Sequence, residues 1–114
     1  DYNNFKLMII EKLLKKCYLR DLIEILHREY KNIFYIGKVD TYIDFIEMIN
    51  RRNCHIHNNG IVDNSYLGID RNNTQPRYNK YNIQLGEYIE IDKKYFEKSL
   101  KNCRGLLVNI KGID

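Results

Sequence analysis

From Asn4 to Ile36 the chain contains neither glycine nor proline, and within that stretch apolar residues return at helical rather than alternating spacing. Phe5, Ile9 and Leu13, with Met8 beside them, form one stripe; Leu19, Leu22, Ile23, Leu26 and Tyr30 form a second. This spacing predicts two helices, or one long bent helix. Lys15, Lys16 and Arg20 fall opposite the stripes and read as a solvated face. Gly37 closes the section, and a further helix can start at Thr41, whose hydroxyl lies three residues ahead of Asp44 as in a capping box. Tyr42, Phe45, Ile46 and Ile49 supply its apolar stripe.

Beyond Gly60 the helical pattern lapses. Asn72, Asn73, Thr74, Gln75 and the sole proline, Pro76, mark a loop. Asn72-Asn73-Thr74 fits a glycosylation sequon, which in a chain without a secretory signal reads as a chance match. Ile83, Leu85, Ile89 and Ile91 flank Gly86-Glu87 with partial alternation, which suits a short hairpin. Asp92 can then cap a last helix whose apolar positions are Phe96, Leu100, Cys103, Leu107 and Ile110. The expected fold is mainly α: an antiparallel helical bundle with a short β-hairpin or irregular segment before the last helix. The sequence shows no internal repeat, and its 114 residues have room for one domain. Its first residue is Asp1, so a start inside a longer protein is part of that expectation.

Charge narrows the range of partners. Nineteen Lys and Arg against 15 Asp and Glu leave a net +4, a mild preference for anions. The excess is even on both sides of His57, so no basic tail accounts for it. No apolar run approaches the roughly 18–20 residues that span a bilayer, since Leu7–Ile10 is cut off at Glu11. Cys17, Cys54 and Cys103 form an odd set without a disulfide framework, which reads as reduced thiols in the cytoplasm. Cys54 and His57 make half of a zinc spacing, but Cys17, His27 and Cys103 are isolated, so neither a metal nor another cofactor is expected.

The end of the third helix is where the chemistry concentrates. Asn50, Arg51, Arg52, Asn53, Cys54, His55, Ile56, His57, Asn58 and Asn59 precede Gly60, the expected stop. Helix C-termini favour cations, yet that preference explains one or two basic residues rather than two Arg and two His. Asn53 and His57 share a face at i and i+4; Arg51 and His55 form a second such pair, with Arg52 between the two. Guanidinium and imidazole groups placed together suit a phosphodiester, since Arg offers a permanent forked donor and His moves protons near neutral pH. Asp63 is the nearest following acid, and one acid is not a two-metal site. RNA can be cut without metal, its 2′-OH acting as the internal nucleophile.

Arg52-Asn53-Cys54-His55-Ile56-His57 fits the R-x4–6-H motif and resembles HEPN domains, small helical domains that include toxin and phage-defence ribonucleases. The longer run from Arg51 to Leu67 is similar to the "RN…H-N-x-G-I-V…Y-L" stretch of bacterial HEPN proteins, and Leu85-Gly86-Glu87-Tyr88-Ile89 to their "G-[DE]-x-I" segment. The resemblance covers Thr41 to Ile110. It implies a bundle whose motif helices face each other across a homodimer and build one cleft. On that resemblance Arg52 stabilises phosphate, His57 is the acid and base, and Asn53 orients His57 or the RNA. Arg51, His55 and Asn58 are expected to bind substrate, although Arg51 also satisfies the motif spacing and His55 is a rival imidazole. Family members often carry further helix ahead of the segment seen here. The resulting expectation is a cytoplasmic, metal-independent endoribonuclease of a toxin–antitoxin or phage-defence system, partnered by RNA, a second copy and a cognate antitoxin protein. The alternatives are a non-catalytic dimerisation or partner-binding module and a nucleic-acid-binding protein without chemistry. Tyr66, Tyr78 and Tyr81 are additional base-stacking candidates among Arg71, Arg77 and Lys80, although tyrosines at the rim of a small core are the commoner case.

Overall fold

The computed structural model describes Asn4, Leu7, residues 19–77 and residues 79–113. The expectations for Phe5, Met8, Ile9, Leu13, Lys15, Lys16, Cys17 and Tyr78 lie outside the described residues. The chain is mainly helical, with one small antiparallel sheet, and it divides into two compact units: residues 1–42 with 101–114, and residues 43–100.

In the first unit, helix α1 (Leu19–Glu29) buries Ile23 and Leu26, two positions of the expected stripe. It does not run on to Ile36. A 3-10 turn at Lys31–Phe34 follows, then strands β1 (Tyr35–Ile36) and β2 (Val39–Asp40) in the register Tyr35 to Asp40 and Ile36 to Val39. Gly37 is the first residue of the two-residue connection and has φ +65°, a conformation glycine adopts without steric cost. The hairpin therefore lies here and not around Gly86. His27 is half-buried and stacks on the Tyr42 ring with centroids 3.6 Å apart.

Helix α2 (Tyr42–Asn58) begins where expected but without the expected cap. Thr41 is buried and its hydroxyl donates to the Phe34 carbonyl (2.6 Å), while Asp40 Oδ1 accepts the Tyr42 amide (3.0 Å). The stop is also shifted by one residue. Asn59 takes the first left-handed conformation (φ 55°), and Gly60 (φ 80°) follows, donating its amide to the Cys54 carbonyl (3.1 Å).

In the second unit a short helix, α3 (Asn64–Leu67), is capped by Asp63, whose Oδ1 accepts the Tyr66 amide (2.9 Å). Cys54, Val62, Tyr66, Leu67 and Ile89 form a buried apolar cluster there, joined by Ile69 and Ile83 at the margin. The segment around Gly86 does pair, but with a distant stretch. Gly86 donates to Val62, Val62 to Glu87, and Ile89 to Gly60, at 2.8–2.9 Å. This irregular antiparallel contact ties residues 86–89 to the exit of α2.

Helix α4 (Lys93–Lys111) starts on Asp92, whose Oδ1 accepts the Tyr95 amide (2.8 Å), as expected for its cap. Its covered face follows the expected stripe only in part. Cys103 and Ile110 are half-buried as expected, alongside Tyr95, Ser99, Asn102, Leu106 and Asn109, whereas Phe96 (56% exposed), Leu100 (39%) and Leu107 (59%) face outward. The reason is that polar side chains do the anchoring. Asn109 donates to the Ile33 and Tyr35 carbonyls within the first unit, and Tyr95 donates to Glu47 within the second.

Candidate active site at the end of helix α2

The ten polar positions from Asn50 onward separate by direction. Arg51 is 6% exposed and turned into the second unit. Its Nε donates to Glu47 Oε2 (2.9 Å), its Nη1 donates to the Glu90 carbonyl (2.7 Å), and its guanidinium lies over the Tyr95 ring, 3.7 Å from the centroid. Glu47, itself 2% exposed, also accepts the Tyr66 hydroxyl (2.6 Å) and the Tyr95 hydroxyl. Burial works against the charge of Arg51, but attraction to Glu47, aided by Tyr95 and Tyr66, outweighs it and holds the pKa above the ordinary arginine value. Burial and the bond to Glu47 likewise push the Tyr66 and Tyr95 phenols well above the usual tyrosine range. The four groups form a closed, charged and hydrogen-bonded knot.

His55, one turn further on, repeats the gesture. Its Nε2 lies 2.6 Å from the Ile89 carbonyl, and its ring meets the Tyr88 ring edge-on at 5.7 Å. Because a carbonyl can only accept, this nitrogen carries the proton. Arg51 and His55 thus grip two consecutive carbonyls of the 86–90 segment. Asn58 is similarly occupied, its Nδ2 donating to the Ile61 carbonyl (2.7 Å). The three residues expected to bind substrate are engaged in fixing the shape of the helix exit.

Arg52, Asn53 and His57 remain on the outside. Arg52 and His57 are exposed and Asn53 is half-buried. Arg52 Nη1 donates to Asn53 Oδ1 (3.0 Å) at an exposed position, which orients the guanidinium. Asn53 and His57 are one turn apart on the same face. This set can bind a phosphate through Arg52 and move a proton through His57. Among the described residues no cluster of three His, Cys, Asp or Glu side chains is placed to hold a metal ion. Cys54 is buried beneath the set, donating to the Ile61 carbonyl (3.0 Å), and burial raises its thiol pKa.

Two residues of this region carried no signal in the sequence. Glu47 sits inside an apolar stripe, and only the convergence of two tyrosines and Arg51 reveals its role. Tyr88 is 61% exposed at the helix exit. Tyr66, by contrast, is 1% exposed and unable to stack a base, while Tyr81 lies in the second unit beside Arg51, 5.0 Å from its guanidinium, and Tyr95. Gly60 makes the exit possible. A Cβ there would lie 2.5 Å from Tyr88 Cε2 and 2.8 Å from His55 Cε1, at φ +80°. Replacing Gly60 with alanine is expected to cost about 1–3 kcal/mol through backbone strain and the displaced rings, measured as a lower urea midpoint with an unchanged slope.

The chain matches no protein-family model, no curated protein and no solved structure. No helix among the described residues is long and apolar enough to cross a membrane.

Proposed function

We propose that the chain is a HEPN-type endoribonuclease that cuts single-stranded RNA without a metal, in a cleft shared by two copies. The observation that supports this most is the division of the helix end. Arg51 and His55 turn inward to hold backbone carbonyls, and the pair left outward, Arg52 and His57, has the motif spacing, which favours it over its rivals.

In the proposed reaction the 2′-OH attacks the adjacent phosphorus and the P–O5′ bond breaks, giving a 2′,3′-cyclic phosphate and a 5′-hydroxyl. One imidazole takes the 2′-OH proton and another protonates the leaving oxygen. A two-copy cleft supplies two His57 side chains for these roles. Arg52 neutralises charge growing on the phosphoryl oxygens, and Asn53, already bonded to Arg52, keeps that group in place. Ile56, 56% exposed between Arg52 and His57, offers apolar surface for the second copy. A cytoplasmic toxin–antitoxin or phage-defence role, with a cognate antitoxin as protein partner, completes the proposal.

The test is incubation of the protein with single-stranded RNA in EDTA, with analysis of the product ends. Cyclic phosphate ends are expected, together with complete resistance of a substrate carrying 2′-deoxyribose at the cleavage position. Cleavage of that substrate, or no cleavage of RNA, would refute the proposal. A second reading, a non-catalytic partner-binding module, is favoured by the outward apolar positions Phe96, Leu100 and Leu107 on α4. It predicts association without cleavage.

A further inference from the structure

We propose that Tyr88 is a stacking platform for an unpaired base, so that it selects single-stranded over duplex RNA; this rests on the ribonuclease reading above. Its ring is 61% exposed, yet it is not a loose side chain. Residue 88 bridges Ile61, and the flanking residues are tied by the Val62 amide to the Glu87 carbonyl (2.8 Å) and the Ile89 amide to the Gly60 carbonyl (2.8 Å). Arg51 and His55 hold the next two carbonyls, at Glu90 and Ile89. The ring itself rests edge-on against His55, with an interplanar angle of 81°, over the space that a side chain at residue 60 would fill. These constraints converge on one exposed aromatic ring.

Position gives that rigidity a use. Tyr88 touches His55 and the Gly60 backbone, which flank His57 by two and three residues. Helix geometry sets the His55 and His57 Cα atoms about 5.5 Å apart, with their side chains leaving the axis in nearly opposite directions, so a base stacked on Tyr88 would belong to a nucleotide flanking the one whose phosphate meets the outward set. Glu87 adjoins Tyr88 in sequence and Glu90 lies two residues on; both repel phosphate, which favours contact through a base rather than through the backbone. A base inside a duplex keeps both faces covered by its neighbours and cannot reach the ring. Stacking on a tyrosine is worth roughly 1–3 kcal/mol per base, so its loss should weaken binding by about 5- to 150-fold.

The chain has no tryptophan, so Tyr88→Trp introduces a single fluorescent reporter. The variant of this 114-residue chain is titrated with a 2′-O-methyl single-stranded oligoribonucleotide, which cannot be cleaved, and with the same sequence as a duplex. Binding is followed in parallel by the anisotropy of end-labelled RNA. Quenching of the introduced indole by the single strand and not by the duplex is expected. Tyr88→Leu, which keeps apolar bulk but has no aromatic face, should raise KM about tenfold or more with kcat nearly unchanged, and Tyr88→Phe should restore it. Unchanged emission while RNA binds, or Tyr88→Leu kinetics equal to wild type, would overturn the inference and leave the ribonuclease reading standing. Blue-shifted emission that reverts on dilution would also overturn it, since the ring would then lie between two copies. Neither binding nor cleavage of RNA would remove both proposals together.

Discussion

Glu47→Leu is expected to destabilise the protein by about 3–5 kcal/mol, a drop of roughly 10–20 °C in the unfolding midpoint for a domain of this size. The carboxylate is the common acceptor for Arg51 Nε, the Tyr66 hydroxyl and the Tyr95 hydroxyl, and it is 2% exposed. Its removal leaves a guanidinium buried without a counter-charge and two phenols without an acceptor. Small globular domains have only about 5–15 kcal/mol in total, so the loss approaches global unfolding. The double variant Glu47→Leu with Arg51→Met separates this explanation from simple overpacking. Removing both charges abolishes the unpaired ion, and the thioether chain can lie on the Tyr95 ring where the guanidinium lay. The double variant should therefore be more stable than Glu47→Leu alone, with a coupling of at least about 1–3 kcal/mol in a double-mutant cycle. Equal or lower stability of the double variant would show that the knot is not an ion pair holding its own charges in check.

The second large effect follows from the proposed ribonuclease function. His57→Ala and Arg52→Ala should each lower the rate of RNA cleavage by about 100-fold or more, while shifting stability by no more than about 0.5 kcal/mol, the range for exposed side chains. Among the described residues no hydrogen bond or ion pair engages His57, and Arg52 is hydrogen-bonded to Asn53. Asn53→Ala releases the guanidinium without removing it, and the expected result is a smaller loss of rate. Thermal melts and initial rates on the same preparations check both halves of the statement.

The apolar periodicities predicted helices better than they predicted the orientation of those helices. Helix α4 shows why. Its hydrophobic stripe at Phe96, Leu100, Cys103, Leu107 and Ile110 predicts one covered face, but the anchoring belongs to Tyr95 and Asn109, which a hydrophobicity pattern scores as neutral or polar. Caps were legible where the bond is local, as at Asp92. They were not legible where a side chain had a better distant partner, as for Thr41, which reaches Phe34 instead of its own helix. The Gly86 segment follows the same rule, since its partner is the stretch 60–62 and no local pattern contains that information.

At the candidate site, composition marked out ten residues and spacing could not sort them. Arg51 and Arg52 are adjacent, both near an imidazole, and both compatible with the motif. They differ by about 100° around the helix axis, and only the location of Glu47, Tyr95 and Glu90 decides which one faces inward. His55 and His57 are sorted in the same way by the Ile89 carbonyl. The inward pair builds the exit on which the outward pair can act.

That division is tested most directly by the initial rate of single-stranded RNA cleavage in EDTA for His57→Ala against His55→Ala, each at matched concentration of folded protein. The account predicts that His57→Ala loses cleavage by about 100-fold or more and melts like wild type, whereas folded His55→Ala retains cleavage but melts lower. Cleavage that survives His57→Ala and is lost in folded His55→Ala would contradict it.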